Sequence, residues 1–305
     1  MIDCDILIAG SGIAGLTAAL TAVRVGRSTM VVTGATLGGQ LLSINKIDGY
    51  PGFPDGVPGY DLCPIAQEQA TAAGAVLKMT DLVDLEYGDG TWRGRLGDGS
   101  AIEAHAVIVA TGARLKKLGV PGEEQLFGKG VSHCASCDAP LLKGRTVVVV
   151  GGGDSALQEA LTLAEQVTRV VVVHRGTAPT AQKAYRDAVA AQSRIELRGE
   201  STVAEILGDA SVTGVRLADG MEIAAAGVFV YVGLEPNGAL APASVRDNAG
   251  AILTDASMRT TLLGLAAAGA ARAGWPGRAA AAAGEGAAAA IAIDRWLCDK
   301  HWRDA

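Results

Sequence analysis

Short apolar runs alternate with a longer helix-like segment at the start of the chain. Residues 5–9 are mostly apolar and end at a glycine, and residues 28–33 form a second such run. Between them, residues 13–25 are rich in Ala, Leu, Thr and Val and contain no proline. Short apolar runs of this kind are typical of strands buried in a parallel sheet. The pattern therefore predicts a strand, a helix and a parallel strand.

The same order of elements returns later in the chain, at 146–150, 155–165 and 169–174. A local repeat accompanies it, since Arg-Leu-Gly-Asp-Gly at 95–99 recurs as Arg-Leu-Ala-Asp-Gly at 216–220, and each copy is followed by a β-rich run that ends at a glycine. The repetition predicts two related nucleotide-binding modules, each with a small three-stranded meander inserted as a crossover. Chance similarity of two Asp-Gly turns is the alternative, because such turns are common.

The pattern changes after the second module. An apolar strand is predicted at 262–269 and an alanine-rich helix at 279–297. We expect this tail to return to the first module, so that the second is an insertion within it. The predicted fold class is α/β, with two Rossmann-like dinucleotide-binding domains of three-layer ββα type, the second inserted into the first. The expected domains are 1–114 with 243–305, and 115–242.

Composition narrows the class of protein. The chain has 305 residues, 49% of them hydrophobic and 19% charged, which is typical of a globular protein long enough for two domains. A net charge of −6 argues against a nucleic-acid partner, and the lack of a purely apolar stretch of membrane length argues against a membrane span. Acidic residues at the start and five scattered cysteines favour a reducing compartment, so we expect a cytoplasmic protein.

The first glycine-rich loop, Gly10-x-Gly12-x-x-Gly15, follows a predicted strand and opens a predicted helix. Glycines in this context let the backbone approach a pyrophosphate at the helix N-terminus. The loop therefore predicts dinucleotide binding. A standard NAD site has an acidic residue at the end of the second strand, whereas this chain has Thr33-Gly34.

The second glycine-rich loop is Gly151-x-Gly153-x-x-Ala156. Its second strand ends at His174-Arg175, with no acidic residue to favour the ribose of NAD. Arg175 is a candidate for the 2′-phosphate of NADP. The alternative is a loop that keeps the fold and no longer binds a nucleotide.

Between the two loops lies the pair Cys134-x-x-Cys137, followed by Asp138 and by a plausible helix start at Ala139. A helix N-terminus lowers the pKa of a thiol, and the thiolate is the nucleophile in disulfide exchange. Asp138 is placed to move the proton that the exchange requires. A zinc site is the alternative, but it needs a second pair of ligands and the other cysteines and histidines are scattered, so no metal is expected.

Taken together, these motifs resemble the low-molecular-weight thioredoxin reductase family, and the resemblance covers nearly the whole chain. The shared landmarks are Gly10–Gly15, Thr33-Gly34, Gly38-Gly39-Gln40-Leu41, Tyr50-Pro51-Gly52-Phe53-Pro54, Ala110-Thr111-Gly112, Cys134–Asp138, Gly151–Ala156, His174-Arg175 and Ala283-Gly284-Glu285-Gly286. The resemblance implies FAD in the first module, NADPH in the second, a homodimer, and thioredoxin or another disulfide as the partner.

The same resemblance assigns roles to individual residues. It implies that Cys137 faces the flavin, that Cys134 attacks the partner disulfide, and that Asp138 acts as acid and base. FAD is expected at Gly10, Ser11, Gly12, Ile13, Ala14, Gly15, Thr33, Gly34, Gly39, Gln40, Ala110, Thr111, Gly112, Gly269, Ala270, Arg278 and Ala279. NAD(P)H is expected at Gly151, Gly153, Asp154, Ser155, Ala156, His174 and Arg175.

The chain departs from the family pattern at both nucleotide sites. Gly176 and Thr180 stand where the family has arginines that hold the 2′-phosphate of NADPH, and neither side chain replaces a guanidinium. Ala270 replaces an aspartate that holds a flavin hydroxyl, and Gly277-Arg278 replaces an Arg-Gln pair. The loss of one carboxylate hydrogen bond weakens binding by about 1.5–3 kcal/mol. The departures count more heavily against NADPH than against FAD.

Three functions remain open at this point. The preferred one is a thioredoxin-reductase-like enzyme that passes electrons through FAD to Cys134–Cys137 and on to a protein disulfide, with NADPH, NADH or ferredoxin as the donor. The second is a dithiol oxidase that closes a disulfide in a small molecule and passes the electrons to oxygen. The third is a non-catalytic flavin-binding redox sensor whose second module only supports the fold.

Overall fold

The structure, a computed structural model, describes residues 2–34 and 37–302. The remaining residues, 1, 35–36 and 303–305, belong to the predicted first domain and lie outside the described ones. None of the described helices combines the length and hydropathy needed to cross a bilayer.

Strands outnumber helices along the described residues. The strands are β1 (Cys4–Ala9), β2 (Thr29–Val32), β3 (Val76–Lys78), β4 (Leu82–Gly88), β5 (Thr91–Leu96), β6 (Ala101–Val109), β7 (Ala113–Leu115), β8 (Val131–Ser132), β9 (Thr146–Val150), β10 (Arg169–Val173), β11 (Ile195–Arg198), β12 (Val203–Leu207), β13 (Gly214–Leu217), β14 (Glu222–Ala224), β15 (Gly227–Val230), β16 (Leu234–Pro236) and β17 (Leu265–Ala267). The helices are α1 (Ile13–Arg24), α2 (Gly59–Ala72), α3 (Ala135–Asp138), α4 (Asp154–Ala164), α5 (Lys183–Ala190) and α6 (Ala279–Asp299).

The chain divides into two compact units. Unit 1 comprises Met1–Arg114 and Glu235–Ala305, and unit 2 comprises Leu115–Leu234. The second crossing between the units therefore precedes the predicted boundary at 242/243. What each unit binds stays a prediction.

Unit 1 is built on one sheet with the strand order β3-β2-β1-β6-β5-β4, to which β17 adds beside β6. The pairs of β1 with β2 and β6, of β2 with β3, and of β6 with β17 are parallel, whereas β4, β5 and β6 form an antiparallel meander. Helices α1 and α6 pack against each other beside this sheet. Small residues make their close approach possible, because a Cβ on Gly286 would lie 2.1 Å from the carbonyl oxygen of Ala14.

Unit 2 repeats this plan with a parallel sheet of order β11-β10-β9-β15-β8. Its central strand β9 reads Thr-Val-Val-Val-Val, and the four valines are buried on both faces of the sheet. A separate antiparallel sheet, β12-β13-β14, forms the second meander. The predicted meander is therefore present in both units. In unit 1 the last strand of the meander, β6, is also a strand of the parallel sheet. In unit 2 the meander ends at β14, and a separate strand, β15, pairs with the parallel sheet.

Two predicted elements differ in extent. The apolar segment 262–269 forms a strand only at β17, because a turn closes from Leu262 to Leu265 and Gly269 adopts a positive φ of 73° that ends the extended backbone. A helical turn begins at the predicted Ala139, as the 3-10 segment Ala139–Leu142, and α3 precedes it from Ala135, where the side chain of Cys134 caps the first turn.

Candidate active site

The first glycine-rich loop joins β1 to α1 in unit 1. Gly10 has a φ of 107°, and a Cβ there would lie 2.4 Å from the carbonyl oxygen of Ala110 at the end of β6. A Cβ on Gly15 would lie 1.9 Å from the carbonyl oxygen of Gly10. At Gly12, by contrast, a Cβ would meet nothing within 4 Å, and no side chain caps the helix that starts there. The loop is thus closely packed at Gly10 and Gly15 and open at Gly12. The uncapped backbone N–H groups of the first turn of α1 are left for an anion.

Neighbouring segments of unit 1 surround this opening. Ser11 donates a buried hydrogen bond of 3.2 Å to the carbonyl oxygen of Thr33, which ties the loop to the residues after β2. Gly39 lies over the loop, since a Cβ there would be 3.5 Å from the α-carbon of Gly12. Gln40 donates a hydrogen bond to the carbonyl oxygen of Ala113. The first residues of α1, Ile13 and Ala14, are buried, as is Ala110, whereas Gly34 is half-buried.

The segment after β6 is fixed by hydrogen bonds within unit 1. The hydroxyl of Thr111 donates to the carbonyl oxygen of Asn237 at 2.6 Å, and the Asn237 side-chain amide donates to the Thr111 carbonyl at 3.1 Å. The backbone N–H of Asn237 donates to the carbonyl of Gly112 at 2.9 Å. These bonds hold the carboxyl end of β6 beside the loop, which is where open α/β sheets bind ligands.

The tail of unit 1 brings Gly269 to the first loop, because a Cβ on Gly269 would lie 3.0 Å from the Cβ of Ala14. The N–H of Gly269 donates to the buried carboxylate of Glu285 at 2.8 Å, and Arg272 pairs with the other oxygen of that carboxylate at 2.5 Å. Ala270 is half-buried and offers no polar group to a ligand. Arg278 and Ala279 lie at the start of α6, the former exposed.

The second glycine-rich loop has the same local geometry in unit 2. A Cβ on Gly151, whose φ is 139°, would lie 2.2 Å from the carbonyl oxygen of Tyr231, just after β15. Gly153 begins α4 without a side-chain cap, and a Cβ there would meet nothing within 4 Å. Asp154 follows in the first turn and accepts a 2.7 Å hydrogen bond from the backbone N–H of Gln182. This loop too leaves the helix N-terminus open.

The other residues of unit 2 that are predicted to bind NAD(P)H differ in their exposure to solvent. Ser155 is exposed and Ala156 is buried beneath the loop. His174 is buried, and burial lowers its pKa, which favours the neutral ring. Arg175 is exposed. Lys183, on the following helix, forms an exposed ion pair with Asp187.

The CxxC pair forms a disulfide at the start of α3, with the two α-carbons 5.3 Å apart. The backbone N–H of Cys137 points at the sulfur of Cys134 at 3.3 Å. The hydroxyl of Ser136 lies 3.4 Å from the same sulfur. Cys137 is exposed and Cys134 half-buried, and Asp138 ends the short helix at the edge of the pair. The donors around Cys134 favour a thiolate there once the disulfide is reduced.

Two further polar residues lie against the CxxC pair. The carboxylate of Glu159, on α4, accepts a hydrogen bond from the N–H of Ala135 at 3.2 Å and from the hydroxyl of Tyr231 at 3.5 Å. Sequence analysis did not single out either residue. The available signal was the position of Glu159, three residues after the buried Ala156 and four before the buried Leu163, which places an acid on the apolar face of a helix.

Comparisons with known proteins bear on this arrangement. A family model described as pyridine nucleotide-disulphide oxidoreductase matches residues 4–286. The chain belongs to this family. It is 36% identical over 300 residues to a thioredoxin reductase of Treponema pallidum (strain Nichols), covering 97% of both chains. The crystal structure of Lactococcus lactis thioredoxin reductase (FR conformation) matches 97% of this chain and 100% of that one, with 31% identity and a TM-score of 0.93.

A second solved structure has an electron donor, ferredoxin, in its name. A ferredoxin-flavin thioredoxin reductase from Clostridium acetobutylicum matches 97% of this chain and 98% of that one, with 31% identity and a TM-score of 0.53. Together the comparisons confirm the predicted family, the α/β fold class with two Rossmann-type domains and the enzyme class. The protein is a disulfide oxidoreductase of thioredoxin-reductase type.

The cofactors of the family are FAD and NADPH. The first loop fits the pyrophosphate of FAD, because the open face at Gly12 leaves room for it at an uncapped helix N-terminus. The loop at Gly153 fits a second pyrophosphate in the same way. A site for the 2′-phosphate of NADPH has weaker support. Of the three positions at which the family has a basic residue for this phosphate, Arg175 carries a guanidinium, whereas Gly176 and Thr180 do not. The individual contacts to either cofactor stay predictions.

Proposed function

We propose that this protein carries electrons from a bound FAD to the Cys134–Cys137 disulfide and from there to the disulfide of thioredoxin. The observation that carries the proposal is a CxxC disulfide at the start of a helix, with Cys137 exposed, in a chain whose family members include thioredoxin reductases. The reduced pair would be the immediate electron donor to thioredoxin.

The second half of this reaction is a thiol–disulfide exchange, in which atoms and electrons balance without an outside reagent. The Cys134 thiolate attacks one sulfur of the partner disulfide, and the other partner sulfur leaves as a thiolate. Cys137 then attacks Cys134 in the mixed disulfide, which restores the Cys134–Cys137 bond and releases the partner as a dithiol. The N–H of Cys137, aimed at the sulfur of Cys134, supports Cys134 as the attacking residue.

Proton movement falls to Asp138 in this proposal. Its side chain is half-buried at the end of α3, one residue after Cys137. A carboxylate there can take the proton of the Cys137 thiol before that thiol attacks, and can return a proton to the leaving sulfur of the partner. The role requires only that Asp138 lie within reach of these sulfurs in the working complex.

The residues proposed to hold FAD belong to unit 1. The N-terminus of α1 at Gly12 would bind the pyrophosphate, and the segment at Gly39 lies over it. The segment after β6, at Thr111 and Gly112, is fixed beside the loop by its hydrogen bonds to Asn237. When bound, the flavin would supply two-electron transfer to the disulfide.

NADPH is the donor proposed by default, and the exposed Arg175 is the group proposed for its 2′-phosphate. The test is anaerobic mixing of the FAD-loaded protein with NADPH and, separately, with NADH, while the visible absorption of the flavin is followed. Fast bleaching, faster with NADPH than with NADH, supports the proposal. Bleaching by NADPH with no transfer of electrons to oxidised thioredoxin would contradict the role given to the CxxC pair.

Reduced ferredoxin is the second candidate donor. Two observations favour it: Gly176 and Thr180 replace family arginines, and the chain is similar to a ferredoxin-flavin thioredoxin reductase. The same experiment distinguishes the two, because a ferredoxin-linked enzyme is bleached by reduced ferredoxin and not by NADPH or NADH. Bleaching by a dithiol alone, followed by rapid oxygen consumption, would instead indicate a dithiol oxidase.

A homodimer in the cytoplasm completes the proposal. The dimer is supported by the family resemblance and by exposed apolar side chains on α2, Tyr60 and Ile65. The unpaired cysteines Cys4, Cys63 and Cys298 suit a reducing compartment. Sedimentation equilibrium of the FAD-loaded protein would give twice the chain mass of 30.8 kDa for a dimer.

A further inference from the structure

We infer that Glu159 is a positioning residue whose charge sets how readily the Cys134–Cys137 disulfide is reduced. The inference deepens the proposed function, on which it rests for the physiological source of the electrons. It concerns a half-buried acid that the proposed exchange reaction does not use.

Glu159 is held against the first turn of α3. Its carboxylate oxygen accepts the N–H of Ala135 at 3.2 Å, and Ala135 is joined to Cys134 by one peptide unit and is fully buried. The same oxygen accepts the hydroxyl of Tyr231 at 3.5 Å. All of these residues belong to unit 2. A negative charge at this place therefore lies close to the sulfur that becomes the nucleophilic thiolate.

The surroundings keep this charge unneutralised. Among the described residues, no Lys or Arg forms an ion pair with Glu159, and the groups that face it are the Ala135 N–H and the Tyr231 hydroxyl. Burial raises the pKa of Glu159, and these two hydrogen bonds oppose the rise. Burial, together with the charges of Glu159 and Asp138, raises the pKa of Tyr231, so that Tyr231 stays a hydrogen-bond donor.

The effect on the disulfide follows from like-charge repulsion. Reduction breaks the Cys134–Cys137 bond with two electrons from the reductant. Below the thiol pKa values, both sulfurs take a proton from solvent; above the lower of the two, one sulfur remains a thiolate. An ionised carboxylate nearby destabilises that thiolate, and a less stable reduced form makes the pair a stronger reductant. Glu159 thereby favours the passage of electrons onward to a partner disulfide.

The test is equilibration of the full-length protein in oxidised and reduced dithiothreitol between about pH 5 and about pH 9, followed by alkylation and mass measurement of the peptide that carries the pair. Glu159→Gln keeps the size and the acceptor for Ala135 but removes the charge. We expect its reduction equilibrium constant near pH 8.5 to be about tenfold higher than that of the parent, or ~30 mV. Near pH 5, where the thiols are protonated, the reduction equilibrium constants of the variant and the parent should agree within about twofold.

Two further variants sharpen the test. Glu165→Gln removes the same charge from an exposed position at the C-terminal end of α4 and should leave the equilibrium unchanged. Tyr231→Phe removes one hydrogen bond to the charged carboxylate, which raises the pKa of Glu159 and moves the onset of its effect to higher pH. This second variant keeps the inference testable if Glu159→Gln does not fold.

The opposing results are equally definite. The inference would be overturned if the reduction equilibrium constant of Glu159→Gln did not differ from that of the parent, or differed by the same factor at every pH. It would also be overturned if Glu165→Gln changed the constant equally. Because dithiothreitol supplies the electrons, the measurement needs neither NADPH nor thioredoxin. A flavin that no donor bleaches would therefore refute the proposed function and leave this result standing.

Discussion

The packing of α6 on α1 offers a test with two outcomes of opposite sign. Gly286 and Gly284 lie two residues apart on α6, but a Cβ on Gly286 would be 2.1 Å from the carbonyl oxygen of Ala14, whereas one on Gly284 would meet nothing within 4 Å. Real Cβ atoms essentially never lie closer than 3.0 Å to such an atom, so Gly286→Ala must push the helices apart by about 1 Å, an overpacking that costs about 1–3 kcal/mol. Gly284→Ala should instead stabilise the helix by about 0.5–1 kcal/mol.

Equilibrium urea unfolding of each FAD-saturated variant beside the parent protein measures both effects. We expect a lower midpoint for Gly286→Ala, a slightly higher one for Gly284→Ala, and unchanged slopes, since neither change alters the surface exposed on unfolding. The helix pushed away is α1, whose N-terminus forms the first loop, so Gly286→Ala should also release FAD more readily. Equal or greater stability of Gly286→Ala would refute the close packing on which the estimate depends.

Three further predictions concern the redox pair, the buried thiols and the donor site. Cys137→Ser should leave flavin reduction by the donor intact and abolish thioredoxin turnover in a coupled assay, because the mixed disulfide cannot resolve. Burial raises the pKa of Cys4 to about 12 and that of Cys63 to about 11, so the unfolded chain loses these protons first. The two thiols therefore leave the free energy of unfolding unchanged below about pH 9 and lower it above that pH by up to ~1.4 kcal/mol per pH unit for each thiol. Urea unfolding at several pH values should show that the free energy of unfolding falls less steeply with pH in Cys4→Ala than in the parent. Gly176→Arg combined with Thr180→Arg should lower the KM for NADPH by about tenfold or more and leave that for NADH unchanged, since NADH lacks the 2′-phosphate.

The buried pair of Glu285 and Arg272 bears on the departure from the family pattern at Ala270. The carboxylate of Glu285 is occupied by the N–H of Gly269 and by the guanidinium of Arg272. It therefore fixes the tail against the first loop and is not free to take over the hydrogen bond of the missing aspartate. FAD binding in this protein is expected to depend more on the pyrophosphate loop than it does in relatives that keep the aspartate.

Much of the fold could be predicted because local patterns report burial directly. The valine run of β9, the glycines of both loops and the repeated Asp-Gly turns each carry a local physical requirement, and the structure has strands, tight loops and meanders at those places. The extent of β17 and the start of α3 could not be predicted in this way. They depend on a turn, on a positive φ and on a cysteine side chain that caps a helix.

The sequence by itself determined the family, the fold class and the CxxC pair to which the redox role is proposed, because glycine spacing and a CxxC motif are local and chemically specific. Only the tertiary structure decided what surrounds that pair. It brought Glu159, from the middle of α4, to the N–H of Ala135 beside Cys134, 24 residues away in sequence, and it brought Tyr231, the residue after β15, to Glu159, 72 residues away. No local pattern encodes such a contact, since it arises from the packing of a helix and a sheet edge around one short turn.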